Sequence, residues 1–221
     1  MPVSHEELVE FGLIDQYLLE KKKKLACQDI EQIPDEELHK SRLKIFKTYN
    51  LDENNLSQWC SSRNVDIKVI EQMICNDAKL RIFANKKFGH MVERSYIENM
   101  DKYEKIVYTL FRHEDYFLTR EMYCRINEGE SMNSICSKYS IGWEKATLGV
   151  VGPSSMNQLN SILATKLRAA AVGDLIQPFK VNDIWLMARK EFFQSAKLDQ
   201  NLSDRIAIEM LLNQLANSEN E

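Results

Sequence analysis

The chain has 221 residues, 28% of them charged, and a net charge of −4, a composition typical of a globular protein of one or two domains. The acidic balance gives no overall basic surface for nucleic acid, and no run of 18 apolar residues could form a membrane span. Only seven glycines and four prolines occur, which favours long helices with few tight turns.

The cysteines and histidines predict no metal site. The five cysteines contain no CxxC pair, and the four histidines do not lie near them at metal-ligand spacing. The opening residues, MPVSHEELVEF, lack the apolar segment of a secretory signal. We therefore expect a cytoplasmic protein with reduced thiols, no metal and no cofactor.

The first hundred residues have the periodicity of helices. Ser4 and Glu7 form the pattern of a capping box, and apolar residues then recur at helical spacing as far as Leu19. The run Lys21–Lys24 falls late in this first helix, where cations suit the helix dipole; a surface for acidic lipid or protein is the alternative. Further helices are predicted from Pro34 and at about 54–62, 66–88 and 91–101.

The pattern changes at Tyr103. The stretch KIVYTLF (105–111) is rich in β-branched and aromatic residues, which predicts a central strand. Helices are expected at about 115–127 and 131–139, then strands in ATLGVVG, GDLIQPF and DIWLMARKEFF, with a loop or helix at 155–171. Gly152-Pro153 is expected to turn the chain out of the first of these strands. A last helix, 202–216, precedes the polar tail NSENE.

No signature of a known catalytic centre occurs: GxSxG, a P-loop, GxGxxG and HExxH are all missing. His113 lies beside two acids and is most simply a solvated turn residue. Cys136 lies mid-helix in an apolar setting, which favours a small core residue. Trp143 and Glu144 follow YSIG and could line a groove, or the tryptophan could cover the edge of the core.

A spaced set of weak motifs covers residues 103–193. They are Ile126 to Glu130, Ile135 with Tyr139-Ser140, Leu148-Gly149, Met156, Gly173 with Pro178, and the strand 184–189. This order resembles the parvulin (PpiC/rotamase) family of peptidyl-prolyl cis–trans isomerases. With its helical first part and its final helix, the whole chain resembles the SurA/PrsA-type chaperone-isomerases and the parvulin-like proteins of cyanobacteria.

The resemblance implies an α+β fold in three parts. Residues 1–102 would form a helical domain, and residues 103–193 a parvulin-like domain with a small antiparallel sheet and flanking helices. Residues 194–221 would supply a C-terminal helix that packs back on the helical domain, followed by the tail.

The resemblance also implies a binding groove for proline-containing polypeptide. In parvulins a methionine and an aromatic residue hold the proline ring. The methionine corresponds to Met156, which could equally be a core residue. The aromatic residue has no direct match, and Leu159 or Ile162 could take its place. The phenylalanine that follows LG in the family corresponds to Val151.

The polar floor of the parvulin groove has different residues here. The first of the two family histidines falls near Val107 or Tyr108, and the second near Trp185. The family's cysteine or aspartate falls at Gly142, with Glu144 the nearest acid and Trp143 beside it. No catalytic residue is identified by this mapping.

Three functions fit these residues. The first is a slow isomerase that relies on an apolar pocket. The second is a parvulin-like module that binds unfolded or proline-containing polypeptides without catalysis. The third is an adaptor with a stable protein partner, for example in a peptide-maturation or export assembly. A fold alone does not decide among them.

Overall fold

The computed structural model describes residues 4–217, so most of the polar tail lies outside the described residues. The chain divides into two compact units: the described residues up to Tyr96 together with those from Leu198 onward, and Ile97–Lys197. The predicted domain boundaries at 102/103 and 193/194 stay a prediction. Among the described residues no helix is both long and apolar enough to cross a membrane.

The first unit is helical, as the sequence predicts. Its helices are α1 (His5–Glu10), α2 (Ile14–Ala26), α3 (Asp35–Tyr49), α4 (Leu56–Ser62), α5 (Ile67–Phe88) and α6 (Val92–Glu98), whose end belongs to the second unit. The last helix of the chain also belongs to the first unit. The expected capping box of Ser4 and Glu7 is present. The single first helix was wrong, because the chain breaks between α1 and α2 at Gly12, whose φ is +67°.

The second unit begins with the last turn of α6 and is built around a sheet. Its elements are α7 (Met100–Tyr103), β1 (Lys105–His113), α8 (Tyr116–Asn127), α9 (Met132–Tyr139), β2 (Val150–Ser155), α10 (Ser161–Ala169), β3 (Leu175–Val181) and β4 (Ile184–Gln194), and α11 (Gln200–Asn217) then returns to the first unit. The strands lie in the order β2-β1-β4-β3, and every neighbouring pair is antiparallel. The predicted α+β fold with a small antiparallel sheet is confirmed.

A buried ionic network holds the last helix to the helical unit. Arg81 of α5 is 6% exposed and donates to Glu37 of α3 at 3.1 Å and to Asp77 of its own helix at 2.8 Å. Ser41 of α3 also donates to Asp77, at 2.8 Å. The Arg81 guanidinium lies 3.9 Å from Asp204 of α11. The predicted packing of the C-terminal helix on the helical unit is therefore confirmed.

Each face of the sheet carries a hydrophobic cluster, because side chains alternate along a strand. The first cluster joins β1, β4 and α10 through residues that include Ile106, Tyr108, Leu110, Met156, Leu163, Leu167, Leu186 and Ala188. The second joins β1 and β4 to α8 and α9 through Phe111, Met122, Met132, Ile135, Cys136 and Met187. Cys136 is fully buried, as its apolar setting predicts.

The segment around β2 differs from its prediction in two ways. The strand starts only at Val150, because Trp143–Thr147 forms a 3-10 helix that ends with Leu148 at a φ of +56°. Gly152-Pro153 does not end the strand but lies inside it. A Cβ at Gly152 would lie 2.6 Å from the carbonyl oxygen of Ile106, so this part of β2 passes too close to β1 for a side chain. The β1–β2 register shifts at the same place.

Candidate functional site

Three of the predicted groove residues meet on one face of the sheet. Tyr108 of β1, Val151 of β2 and Met156 belong to the first hydrophobic cluster, and Leu159 packs against it. Met156 begins a 3-10 turn that is capped by Ser155: its side chain accepts a backbone hydrogen bond, and its own N–H donates to Gln158 Oε1 at 3.2 Å. Met156 is 1% exposed and Tyr108 is 6% exposed. The cluster is thus assembled as the mapping implies, but solvent does not reach it.

Tyr108 offers no acid or base near neutral pH. Burial raises the pKa of its phenol above the usual value, with the Arg112 charge opposing the shift. The hydroxyl therefore stays protonated, and the ring fills space beside Met156.

Trp185 lies on the other face of the sheet. Its neighbours in β4, Leu186 and Ala188, pack in the first cluster, so alternation turns Trp185 towards α8. There its ring centroid lies 4.5 Å from that of Tyr116. The structure therefore does not bring Trp185 together with Met156, and a role of Trp185 in a groove stays a prediction.

Glu144 is a fully buried carboxylate rather than an accessible groove residue. Its Oε1 accepts hydrogen bonds from Ser140 Oγ at 2.8 Å and from Arg112 Nε at 2.9 Å. Its Oε2 has no hydrogen-bond partner among residues 4–217. A Cβ at Gly142 would collide with both carboxylate oxygens of Glu144 and with Arg112 Nε. The acid therefore occupies the space that a side chain at 142 would need, and it fastens the loop after α9 to β1.

The negative charge of Glu144 also affects the thiol of Cys136. Burial, and after it the negative charge of Glu144, raises the pKa of the Cys136 thiol to about 12. Its Sγ donates to the carbonyl oxygen of Leu110 at 3.3 Å. A thiol in this state is not a nucleophile at neutral pH.

The segment that Glu144 fastens presents apolar side chains to solvent. We call residues 141–148 the apolar loop: Ile141 is 50% exposed, Trp143 65% and Leu148 53%. The Glu144 side chain of this 3-10 helix is fully buried, whereas the Trp143 side chain beside it faces solvent. The sequence analysis singled out Trp143 but missed Ile141 and Leu148. The signal for Ile141 was a large apolar residue in a segment with no helical or strand periodicity, whereas Leu148 lay in a predicted strand.

Ile162 lies apart from the buried cluster's interior. It is 44% exposed near the start of α10, whereas Leu163, the next residue, packs in the cluster.

His113 ends β1, and its Nδ1 accepts a hydrogen bond from the backbone N–H of Asp115 at 3.0 Å, so it belongs to the turn before α8. Within residues 4–217 no three His, Cys, Asp or Glu side chains form a group that could hold a metal ion.

Comparison with known proteins gives structural likenesses alone. No protein-family model matches the sequence, and no curated protein matches it. The peptidyl-prolyl isomerase PrsA from Bacillus anthracis is 14% identical with a TM-score of 0.46, over 92% of this chain and 97% of that one. A SurA-like chaperone structure from Campylobacter jejuni is 16% identical with a TM-score of 0.41, over 100% of this chain and 83% of that one.

A PpiC-type peptidyl-prolyl cis–trans isomerase domain is also similar. It is 15% identical with a TM-score of 0.40, and the match covers 45% of this chain and 99% of that domain. The solved structures that this chain resembles are therefore PrsA-like, SurA-like and PpiC-type proteins. At these identities the likeness says nothing of activity.

Proposed function

We propose that this protein is a parvulin-like chaperone that binds unfolded or proline-containing polypeptide segments, with weak or lost isomerase activity. The observation that carries the proposal is the apolar loop, where Ile141, Trp143 and Leu148 are each at least half exposed. Grouped apolar side chains at a protein surface usually mark a binding site. A tryptophan adds a large contact area at a small cost in conformational entropy.

The loop is rigid enough to present these side chains in one arrangement. The buried Glu144 holds it from inside, and the backbone N–H of Gly149 donates to the Glu144 carbonyl oxygen at 2.8 Å. Thr147 Oγ1 donates to the carbonyl oxygen of Val150 at 2.7 Å. A pre-ordered surface loses less conformational entropy when a flexible client binds.

Side chains rather than strand pairing would provide the contacts to the client. The strand next to the loop, β2, is an edge strand, and an edge can take up an added strand. Pro153 removes a backbone donor from β2, and Gly152 brings the strand close to β1. Both features oppose an extended added strand, so we assign recognition to the apolar loop.

The proposal of weak or lost catalysis rests on the burial of the residues that map to the proline pocket. Isomerisation must lower a barrier of about 18–20 kcal/mol, and a site does this by binding the twisted amide better than the planar one. Such a site has to admit the proline ring. Met156 and Tyr108 are buried in the same hydrophobic cluster. Cys136 and Glu144 are engaged in hydrogen bonds within the protein.

A reducing, cytoplasmic location is part of the proposal. All five cysteines are free thiols, and Cys27, Cys60 and Cys136 are buried. Measuring the thiol state of the protein in its own cells tests this part, and a disulfide in the isolated protein would contradict it.

The test of binding is the suppression of aggregation of a chemically unfolded client, followed by light scattering. Trp143→Ser should remove most of the protection, because the exposed indole is lost. Leu148→Asn should reduce it too, and asparagine tolerates the left-handed backbone at this position, so the loop keeps its shape. Phe117→Ser is the matched control, because Phe117 is an exposed aromatic on α8 and not part of the apolar loop.

Equal protection by the wild type and the Trp143→Ser variant would remove the loop from the proposal, and no protection by the wild type would end the chaperone function. A protease-coupled assay on an Ala-Pro peptide tests catalysis. We expect relaxation over the uncatalysed time, about 10–100 s at 25 °C. A clear acceleration that Met156→Ala reduces would establish an isomerase instead, and a stable co-purifying partner would favour an adaptor.

A further inference from the structure

The helical unit contains a cavity to which the proposed function assigns no role. Its volume is about 550 Å³, within the range of ligand sites, and it is bounded by α2, α3, α5 and α11. All its lining residues belong to this one unit. The cavity therefore does not depend on how the two units are arranged.

The lining of the cavity is positively charged although the chain as a whole is acidic. Four lysines face two carboxylates: Lys23, Lys24, Lys44 and Lys79 against Glu20 and Asp77. Lys23 pairs with Glu20 at 2.6 Å, and Lys44 pairs with Asp77. Within residues 4–217, Lys24 and Lys79 have no carboxylate partner. Two positive charges are thus left for a ligand.

Both unpaired lysines line the cavity, Lys24 on α2 and Lys79 on α5. Cys27 follows α2 three residues after Lys24, a spacing that places both on one helix face. Burial raises the pKa of the Cys27 thiol, and the nearby Lys79 charge opposes that shift. Lys79 is a neighbour of Cys27, and Lys24 lines the same cavity three residues before Cys27, so one anionic group in the cavity could contact both lysines.

The rest of the lining suits a peptide better than a simple hydrocarbon chain. Apolar wall is supplied by Ile45, Met73, Leu80, Ile208 and Leu212. Gln28, Gln72 and Asn76 add amide side chains. Gln72 Nε2 donates to Asn76 Oδ1 at 2.9 Å, which leaves Gln72 Oε1 as an acceptor and Asn76 Nδ2 as a donor. A peptide backbone needs both, whereas a fatty acid tail needs neither.

We propose that this cavity binds the carboxy-terminal end of a polypeptide, with the terminal carboxylate at Lys24 and Lys79 and apolar side chains against Met73 and Leu80. The inference rests on the proposed polypeptide-binding function but assigns a second contact, in a different unit. A free carboxylate is present once in each client, so this contact would select chain ends over internal segments.

The test uses a peptide that ends in Gly-Ala-Leu-Leu and carries fluorescein at its amino end, added to the full chain and followed by fluorescence anisotropy. Two forms are compared, the free acid and the carboxy-terminal amide. Hydrogen bonds to a charged group make a difference of about tenfold or more in affinity. We expect the free acid to bind at least about tenfold more tightly than the amide at low salt, and the difference to shrink as salt is added.

Variants locate the binding. Lys79→Met should weaken binding of the acid by about tenfold and leave the amide unchanged, while Lys79→Arg should restore the acid's affinity. Lys21→Met is the matched control, because Lys21 lies on α2, is exposed and does not line the cavity. It changes the net charge by the same amount, so its binding curves should match those of the wild type. Circular dichroism checks that each variant is folded.

Equal affinity of acid and amide would overturn the inference, as would an equal effect of Lys21→Met and Lys79→Met. Binding of dodecanoate, displaced by neither peptide, would identify the occupant as a small amphiphile and would also overturn it. If acid and amide bind equally while the apolar loop still protects a client from aggregation, this inference fails and the proposed function stands. If the acid binds selectively and no client is protected, the proposed function fails instead.

Discussion

Replacing Gly149 with alanine should destabilise the sheet unit strongly. Gly149 precedes β2 with a φ of +85°, a backbone conformation that L residues rarely adopt. A Cβ there would lie 2.6 Å from Cys136 Sγ, 2.8 Å from Cys136 Cβ and 2.9 Å from Thr109 Cγ2. Cys136 and Thr109 are both fully buried, so neither can move aside into solvent.

The magnitude follows from two separable costs. An alanine in the left-handed region costs about 1–2 kcal/mol, and overpacking a core by one methyl costs about 1–3 kcal/mol. We expect Gly149→Ala to lower the free energy of unfolding by about 3 kcal/mol. Gly173→Ala is the matched control: its φ is +94°, but nothing lies within 4 Å of the added Cβ. It should cost only about 1 kcal/mol.

Urea unfolding measures both changes. The chain has three tryptophans, and Trp59→Phe leaves Trp143 and Trp185, both in the sheet unit, as fluorescence reporters. With an m-value of about 2 kcal/mol per molar, Gly149→Ala should lower the urea midpoint by more than about 1 M. If Gly149→Ala and Gly173→Ala shift the midpoint equally, the close approach of β2 to α9 is not what requires a glycine at 149.

Further predictions concern the buried ionisable groups. Cys136 should resist alkylation at pH 8 in the native protein while the exposed Cys124 reacts, as mass spectrometry would show, and equal rates would contradict the burial of Cys136. Because the Cys136 thiol has a pKa of about 12 when folded and 9.0 in the reference state, the folded protein retains a proton that the unfolded chain loses. Its contribution to stability should therefore fall as pH rises above 9, and Cys136→Ala should flatten that dependence in thermal unfolding. Arg81→Met should lower the free energy of unfolding by about 3 kcal/mol, because one buried guanidinium that serves carboxylates on three helices is lost, although each carboxylate keeps another partner. An unchanged denaturation midpoint for Arg81→Met would mean that this network does not stabilise the helical unit.

The strands with strong local patterns could be predicted from the sequence. The β-branched and aromatic run of β1 marked a central strand, and β4 alternates as its residues suggest, with Leu186 and Ala188 on one face and Met187 on the other. The helix α5 follows from apolar residues at three- and four-residue spacing. In each case neighbours in the sequence supply the signal.

The site was harder to predict because its geometry depends on distant residues. Trp185 seemed to match a groove position, but the pairing of β4 with β1 sets which face it occupies. Glu144 seemed exposed in a loop, yet Arg112 and Ser140, 32 and 4 residues away, bury it. The cavity of the helical unit has no local pattern, because four helices contribute to its lining. The run Lys21–Lys24 pointed to Lys24, but no pattern in the sequence pointed to Lys79.

The central claim is that the protein holds polypeptide at the apolar loop and leaves X-Pro bonds unchanged. One measurement tests it most directly: two-dimensional NMR of the ¹⁵N-labelled full chain, titrated with an unlabelled proline-containing peptide and followed at the tryptophan indole N–H signals. The account predicts that the Trp143 signal shifts, that the Trp185 signal does not, and that the peptide shows no exchange between its cis and trans forms. A shift at Trp185 alone, or strong cis–trans exchange on addition of the protein, would contradict it.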